Sequence, residues 1–296
     1  MSNNDNLEVG QTQFKKKAFK ELTIIKDIIF WIDFVDEGQN ENAIFARPFN
    51  EKGAFPQKLT IKKYDIKNNF HGYGGKSYKC INIKNNFYLI WIDQITKAVW
   101  FQIFKEVASN YRSQNKYLDT VQEARQLSKS IDGNFDSSFV ISQKFFLYGI
   151  CEINNRDYLF SLNLKKIKQD IYRIKKFKNF AGELSSNTSG SFLAWVEWDS
   201  PYMPWEKNDL CFAQIDFDGE IKKLKKFSNK LINTQKKVSF FQPYWISETL
   251  LVCSEDSSGW WNLLFLDVSE IENIFIKKKV KRNSIEYGVP QWVSGI

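Results

Sequence analysis

The chain has 296 residues, of which 43% are hydrophobic and 16% aromatic, enough to fill a sizeable core in one large β domain or two smaller ones. Its formal net charge is +8, yet only six of its 42 basic residues are Arg. A lysine-dominated excess spread along the chain serves solubility rather than the forked recognition of phosphates and bases, so no nucleic-acid partner is expected. No apolar run approaches the roughly 18 residues of a membrane span, and the polar start Met1–Lys17 lacks the apolar segment of a secretory signal. No membrane partner is expected, and the expected location is cytoplasmic.

Met1–Phe19 is rich in Asn, Gln and Lys and reads as a flexible segment, 1–19, ahead of one β domain over 20–296. From there, pairs of strand-like runs recur. Asp27–Asp33 precedes Ala43–Phe49, Phe87–Asp93 precedes Ala98–Phe104, and Phe145–Cys151 precedes Tyr158–Leu164. Phe192–Trp198 precedes Leu210–Asp216, and Thr249–Glu255 precedes Asn262–Val268. The alternation and the β-branched and aromatic content mark hairpin strands. First strands start at 27, 87, 145, 192 and 249, intervals of 60, 58, 47 and 57 residues, near the period of β-propeller blades.

Lysine-edged runs follow the hairpins at Gln57–Lys63, Arg125–Lys129, Ile171–Lys178, Ile221–Phe227 and Ile274–Val280. As outermost strands of blades these are exposed sheet edges, where lysine opposes edge-to-edge pairing. A further element, clearest in Phe241–Ser247 and Val289–Ser294, precedes hairpins and reads as an innermost strand with Pro near its start. The expected fold is therefore all-β: a β-propeller of four-stranded blades, five of them plus the first strand of a sixth. Glu106–Ser130 departs from the repeat; Val121, Ala124, Arg125 and Leu127 stand at loosely helical spacing in a polar stretch, which reads as an inserted loop or short helix. Blade one shows no obvious innermost strand. Val289–Ser294 accordingly either opens a sixth blade or returns to blade one and closes a five-bladed ring.

Motifs for chemistry are sparse. Phe70–Tyr78, FHGYGGKSY, ends like a phosphate loop, but the Gly that GxxxxGK[ST] needs at position 70 is Phe and a strand follows instead of a helix. His71–Gly75 also looks like an esterase oxyanion segment, yet no GxSxG nucleophile elbow occurs. A glycine-rich turn into an innermost strand accounts for the stretch. His71 is the only histidine, so a Ser-His-Asp triad has no other base, and no catalytic residue is assigned. The cysteines at 80, 151, 211 and 253 form no CxxC and read as buried reduced thiols; neither metal nor cofactor is expected. Glu197, Asp199, Glu206 and Asp209 cluster around Trp198 and Trp205, a pattern open to a paired-carboxylate glycosidase as well as to a solvated loop.

Five motifs in order resemble the propeller of the prolyl oligopeptidase family of serine peptidases, in the branch of dipeptidyl aminopeptidases and acylaminoacyl-peptidases. Leu193–Trp205, with Trp195 and Pro204, is similar to the LAWVEWD and MPW signature. His71, Gly74 and Gly75 match the family's HEYGG, although Gly72 replaces its Glu. Pro243 and Trp245 match FQPxW, Trp260 and Trp261 match SGWWNLY, and Pro290 and Trp292 match FGVPQWV. The resemblance implies a peptide substrate reached through an α/β-hydrolase domain, which carries the family's Ser, Asp and His and has no counterpart in these residues. It also implies a seven-bladed standard against which this propeller is partial, a truncated, non-catalytic portion expected to be inactive alone. Glu197, Trp198, Asp199 and Trp205 are then candidates for gating or holding the substrate. The alternative is a self-standing propeller that binds a peptide, sugar or protein partner.

Overall fold

The computed structural model describes residues 20–35, 41–61, 64–108, 116–216, 218–227, 232, 237–280 and 284–288. Short antiparallel strands follow one another in chain order, several of them joined by tight turns. Lys84 and Asn85 (φ 49° and 67°), and Asn154 and Asn155 (φ 52° and 56°), hold the paired left-handed conformations of type I′ hairpin turns.

Five sheets result. Blade one is β1 (Lys20–Ile25), β2 (Ile28–Val35), β3 (Glu41–Pro48) and β4 (Gln57–Lys58), hydrogen-bonded in that order. Blade two is β5 (Tyr78–Ile83), β6 (Asn86–Asp93), β7 (Ala98–Glu106) and β8 (Leu118–Gln126). In blade three the innermost strand is divided: β9 (Gly133–Phe135) and β10 (Val140–Ile141) both pair with β11 (Phe146–Ile153), followed by β12 (Arg156–Asn163) and β13 (Tyr172–Lys176). Blade four is β14 (Phe180–Ser186), β15 (Phe192–Trp198), β16 (Asp209–Ile215) and β17 (Ile221–Lys226). Blade five is β18 (Phe240–Trp245), β19 (Leu250–Glu255), β20 (Asn262–Asp267) and β21 (Phe275–Lys279).

The second strand of each inner blade is buried on both faces. In β6, Phe87, Leu89 and Trp91 pack toward blade one, while Tyr88, Ile90 and Ile92 pack toward blade three. Likewise β15 sends Leu193 and Trp195 toward blade three, and Phe192, Ala194, Val196 and Trp198 toward blade five. The outermost strands β13, β17 and β21 carry exposed lysines, as edge strands require. All four cysteines are buried free thiols inside strands, and burial pushes each of their pKa values up.

Two expectations are corrected. Within Glu106–Ser130 the helical reading fails and Leu118–Gln126 is not loop: β8 is the outermost strand of blade two, paired with β7 from Trp100↔Gln126 to Glu106↔Leu118. An edge strand buries little, so its sequence can stay polar without the alternation that marks inner strands. Blade one has its own innermost strand, β1, paired with β2 through Ile25↔Ile28, so the slot offered to Val289–Ser294 for ring closure is filled. Its weak signal follows from exposure, since only Ile25 packs into the core shared with blade two. Residues 1–19 and Val289–Ser294 lie outside the described residues.

Among the described residues, four apolar cores occupy the four gaps between successive blades, and none joins blade five to blade one. Apolar side chains stay exposed on both end blades, including Leu22 and Ile24 on β1 and Tyr244 and Phe275 on blade five.

Because stability resides in these cores, Trp195→Ala is expected to cost about 3–5 kcal/mol. Trp195 is fully buried between blades three and four, meets Phe177 edge-on at 6.2 Å, and donates from Nε1 to Glu197 Oε1 at 2.8 Å. Urea unfolding followed by circular dichroism measures it as a lowered midpoint, and a loss below about 1 kcal/mol would contradict this account of the core.

Candidate functional site

The innermost strands of blades one, four and five share one irregularity. Each pairs with its neighbour in register, skips at a bulge, and resumes: between Lys20 and Thr23, between Gly182 and Ser185, and between Phe241 and Tyr244. The bulge places one non-glycine residue in the left-handed region in each case, Glu21 at φ 55°, Glu183 at φ 58° and Gln242 at φ 50°. Such a conformation costs free energy in an L-residue and persists only where other contacts hold it.

Those contacts cross to the next blade. Glu21 accepts hydrogen bonds from the backbone N–H (2.5 Å) and hydroxyl (2.8 Å) of Ser77, just ahead of β5, and its own carbonyl accepts from the Tyr78 hydroxyl at 2.7 Å. Glu183 Oε2 accepts the N–H of Gln242 at 2.6 Å. In blade three, where β9 and β10 are separated by Asp136–Phe139, the Ser138 hydroxyl donates to Asp136 and accepts the Leu184 N–H of blade four at 3.2 Å. Burial pushes the carboxyl pKa values of Glu21 and Asp136 up, and that of Glu183, with Asp136 adding to the effect, to about 8.

A cavity of about 770 Å³ lies among these innermost strands, lined by Lys76, Lys79, Ser137, Glu183, Gln242 and Tyr287 among others. Pro243, inside the bulge of β18, lines it as well.

The glycine-rich stretch forms a single 3-10 turn at Phe70–Gly72 and then runs into β5, as its composition predicts. Gly74 (φ 95°) and Gly75 (φ 114°) take conformations that disfavour other residues. Gly72 at φ 76° does the same, which accords with the loss of the family's Glu at this position. The turn carries His71 between blades three and four, where its ring is 3% exposed. His71 Nε2 lies 2.9 and 3.1 Å from the two Asp157 oxygens, and its backbone N–H donates to Glu152 at 3.2 Å. Asp157 also accepts the Ala181 N–H at 2.8 Å. Burial pushes the Asp157 carboxyl up, and the His71 hydrogen bond opposes that shift. Phe70 stacks on the imidazole at 3.8 Å, with Phe180 edge-on at 5.2 Å and Trp198 at 6.2 Å. With no nucleophile in this cluster, His71 cross-links three segments of chain.

The blade-four loop divides its predicted residues. Trp198 is buried and stacks on Phe180 at 5.6 Å, so it belongs to the core between blades four and five. Trp205 is 41% exposed and, with Asp256, Gly259 and Trp261, lines a cleft of about 460 Å³ between the hairpin loops of blades four and five. Glu197 accepts from Trp195 and pairs with Lys175 at 2.9 Å; Asp199 pairs with Lys178 at 3.0 Å. Glu206 accepts the Met203 N–H at 2.8 Å, and Asp209 pairs with Lys226 at 2.8 Å. Each of the four carboxylates is committed to partners of its own, in three salt bridges, a bond from Trp195 and a loop contact. Among the described residues no group of three His, Cys, Asp or Glu side chains could hold a metal ion.

Pro204 is buried, and its carbonyl accepts from Asn208 Nδ2 at 2.9 Å. Asn208 also grips both the N–H and C=O of Phe240, each at 2.7 Å, and so fastens the loop to β18. Trp245 stacks on Phe192 at 6.0 Å within the same core. Trp260 and Trp261 are half-buried in the blade-five hairpin, where the Trp261 N–H donates to Glu286 at 2.5 Å. Pro290 and Trp292 lie outside the described residues. The sequence reading missed Asn208, Asp157 and the bulge carboxylates. A polar residue at one repeated place in three innermost strands was the available signal for the last group.

Successive four-stranded blades around a polar centre define a β-propeller. Its solved neighbours include peptidases of the prolyl oligopeptidase family, matched over part of their length. A Mycobacterium tuberculosis puromycin-hydrolyzing peptidase is 18% identical with a TM-score of 0.70, covering 94% of this chain and 41% of that one. A puromycin hydrolase is 16% identical with a TM-score of 0.71, covering 95% and 42%. Prolyl oligopeptidase B from Galerina marginata is 10% identical with a TM-score of 0.53, covering 88% and 37%. The chain thus spans about two fifths of the length of these structures, and the likeness is one of fold. Neither a family model nor a curated protein matches the sequence. No helix among the described residues is long and apolar enough to cross a membrane.

The raised Glu183 carboxyl yields a test of the blade stitching. Its folded value of about 8 exceeds the ordinary 4.5, so folding takes up a proton between these limits. Its contribution is fully present below pH 4.5 and is lost as pH rises through about 8. Glu183→Gln is expected to flatten the fall in melting temperature over this window, as read from thermal scans at a series of pH values. An unchanged slope would remove Glu183 as its source.

Proposed function

We propose that this chain is the non-catalytic, substrate-gating propeller portion of a serine peptidase of the prolyl oligopeptidase family, working beside an α/β-hydrolase domain that supplies the nucleophile. The observation that carries this reading is the superposition of 94–95% of the chain on the puromycin-hydrolyzing peptidases. The ordered signatures from His71 to Trp261 support it. They recur at the structural joints of the fold: the turn into blade two, the blade-four loop and the blade-five hairpin. On this reading the substrate is a peptide, the branch is that of dipeptidyl aminopeptidases and acylaminoacyl-peptidases, and the location is cytoplasmic. The gating surface is the cleft at Trp205, with Asp199 on the same exposed loop, whereas Trp198 and Glu197 hold that loop in place from within.

Two measurements test the proposal together. The isolated chain is expected to show no turnover of aminoacyl or acyl-aminoacyl p-nitroanilides. Coding DNA beyond the Ile296 codon, read in all frames over roughly 750 bases for a domain of ordinary size, is expected to carry a GxSxG segment. Co-expression of the two parts is expected to restore hydrolysis, with Trp205→Ala changing KM more than kcat. Turnover by the isolated chain would overturn the non-catalytic assignment. Absence of a hydrolase frame would favour a self-standing module that binds a peptide, sugar or protein partner.

A further inference from the structure

The central cavity is chemically asymmetric. Lys76 and Lys79 enter it from the approach to blade two and from β5, and among the described residues neither ammonium forms an ion pair with a carboxylate. Burial first, and then Lys76, pushes the Lys79 pKa down, and Asp136 opposes part of that shift. Ser137, at the break between β9 and β10, lines the same cavity; it is 2% exposed and its hydroxyl has no hydrogen-bond partner in the protein. A buried hydroxyl with no protein partner keeps its hydrogen-bonding capacity for a group that enters the cavity. Glu183, on β14, lines it too, and burial raises its pKa to about 8, so near neutral pH it carries little of the negative charge that would repel an anion. The volume, about 770 Å³, suits a small molecule and is too large for a single ion.

We propose that this cavity is a binding site for a small molecule bearing an oxyanion, a carboxylate or a phosphate, held by the Lys76 and Lys79 ammonium groups and the Ser137 hydroxyl. A carboxylate would come from the C-terminus of a short peptide and a phosphate from a phosphorylated metabolite. The site belongs to this chain alone and does not rest on a hydrolase partner, so it can be tested whether or not such a partner exists.

The test is isothermal titration of the full chain with triglycine, triglycine amide and inorganic phosphate, each to roughly 10 mM, the range in which weak millimolar binding is still read. Binding of at least one anion, weakened by added salt, is expected. Lys79→Gln and Ser137→Ala are each expected to weaken it about tenfold, the effect of losing one charged or charge-assisted hydrogen bond. Lys76→Gln serves as the second charge variant should Lys79→Gln perturb β5, and melting temperature verifies folding in each case. Triglycine binding that the amide loses assigns the oxyanion to a peptide C-terminus, whereas phosphate binding with weak triglycine binding assigns it to a phosphate. No binding of either anion, or undiminished binding in well-folded Lys76→Gln and Ser137→Ala chains, would overturn the proposal.

Discussion

Everything in this chain depends on apolar contact between neighbouring sheets. A twisted four-stranded sheet is too thin to bury either face by itself, so each blade is stable only against the next. The four inter-blade cores show how fully this is met: β6 and β15 are buried on both sides, and Trp91 and Trp195 have no accessible surface. The same dependence leaves a consequence at the ends. Blade one and blade five each have one face without a core among the described residues, and there Leu22, Ile24, Tyr244 and Phe275 remain exposed.

Near the centre the blades converge, and polar stitching takes over from apolar packing. The bulges at Glu21 and Glu183 turn carboxylates of the innermost strands toward the following blade, where they accept backbone N–H groups of Ser77 and of Gln242, itself at the bulge of β18. A left-handed backbone conformation is unfavourable by itself, and the cross-blade hydrogen bond offsets it. This arrangement also sets the chemistry of the cavity: acidic groups already committed to neighbouring blades have raised pKa values, while Lys76 and Lys79 face open space. The central site and the stability of the row of blades therefore share residues.

The hairpin side of blades four and five is organised on the same principle. Asn208 satisfies both backbone groups of Phe240, and Trp198 fills the gap beneath, so the loop is anchored before Trp205 reaches solvent. An exposed aromatic on a fastened loop makes contacts with little ordering left to impose. His71 plays a comparable part between blades three and four. Its bond to Asp157 links the turn before blade two to the hairpin of blade three and, through the Ala181 N–H, to blade four.

Local pattern determined a good deal by itself. The five hairpins, the lysine-edged outer strands, the turn at His71–Gly75 and the run of β18 were all legible, because alternation, aromatic content and Gly or Asn at turns act over a few residues. Tertiary structure alone decided the rest. β1 and β8 carry weak patterns because an end blade and an outer edge bury little, and only pairing with β2 and β7 identifies them. The division of the blade-four loop into a buried Trp198 and an exposed Trp205 depends on which neighbour each residue meets. The cavity, finally, gathers Lys79, Ser137, Glu183 and Gln242 from positions far apart in sequence. No spacing rule reaches that far; the residues meet only because successive blades converge on one centre.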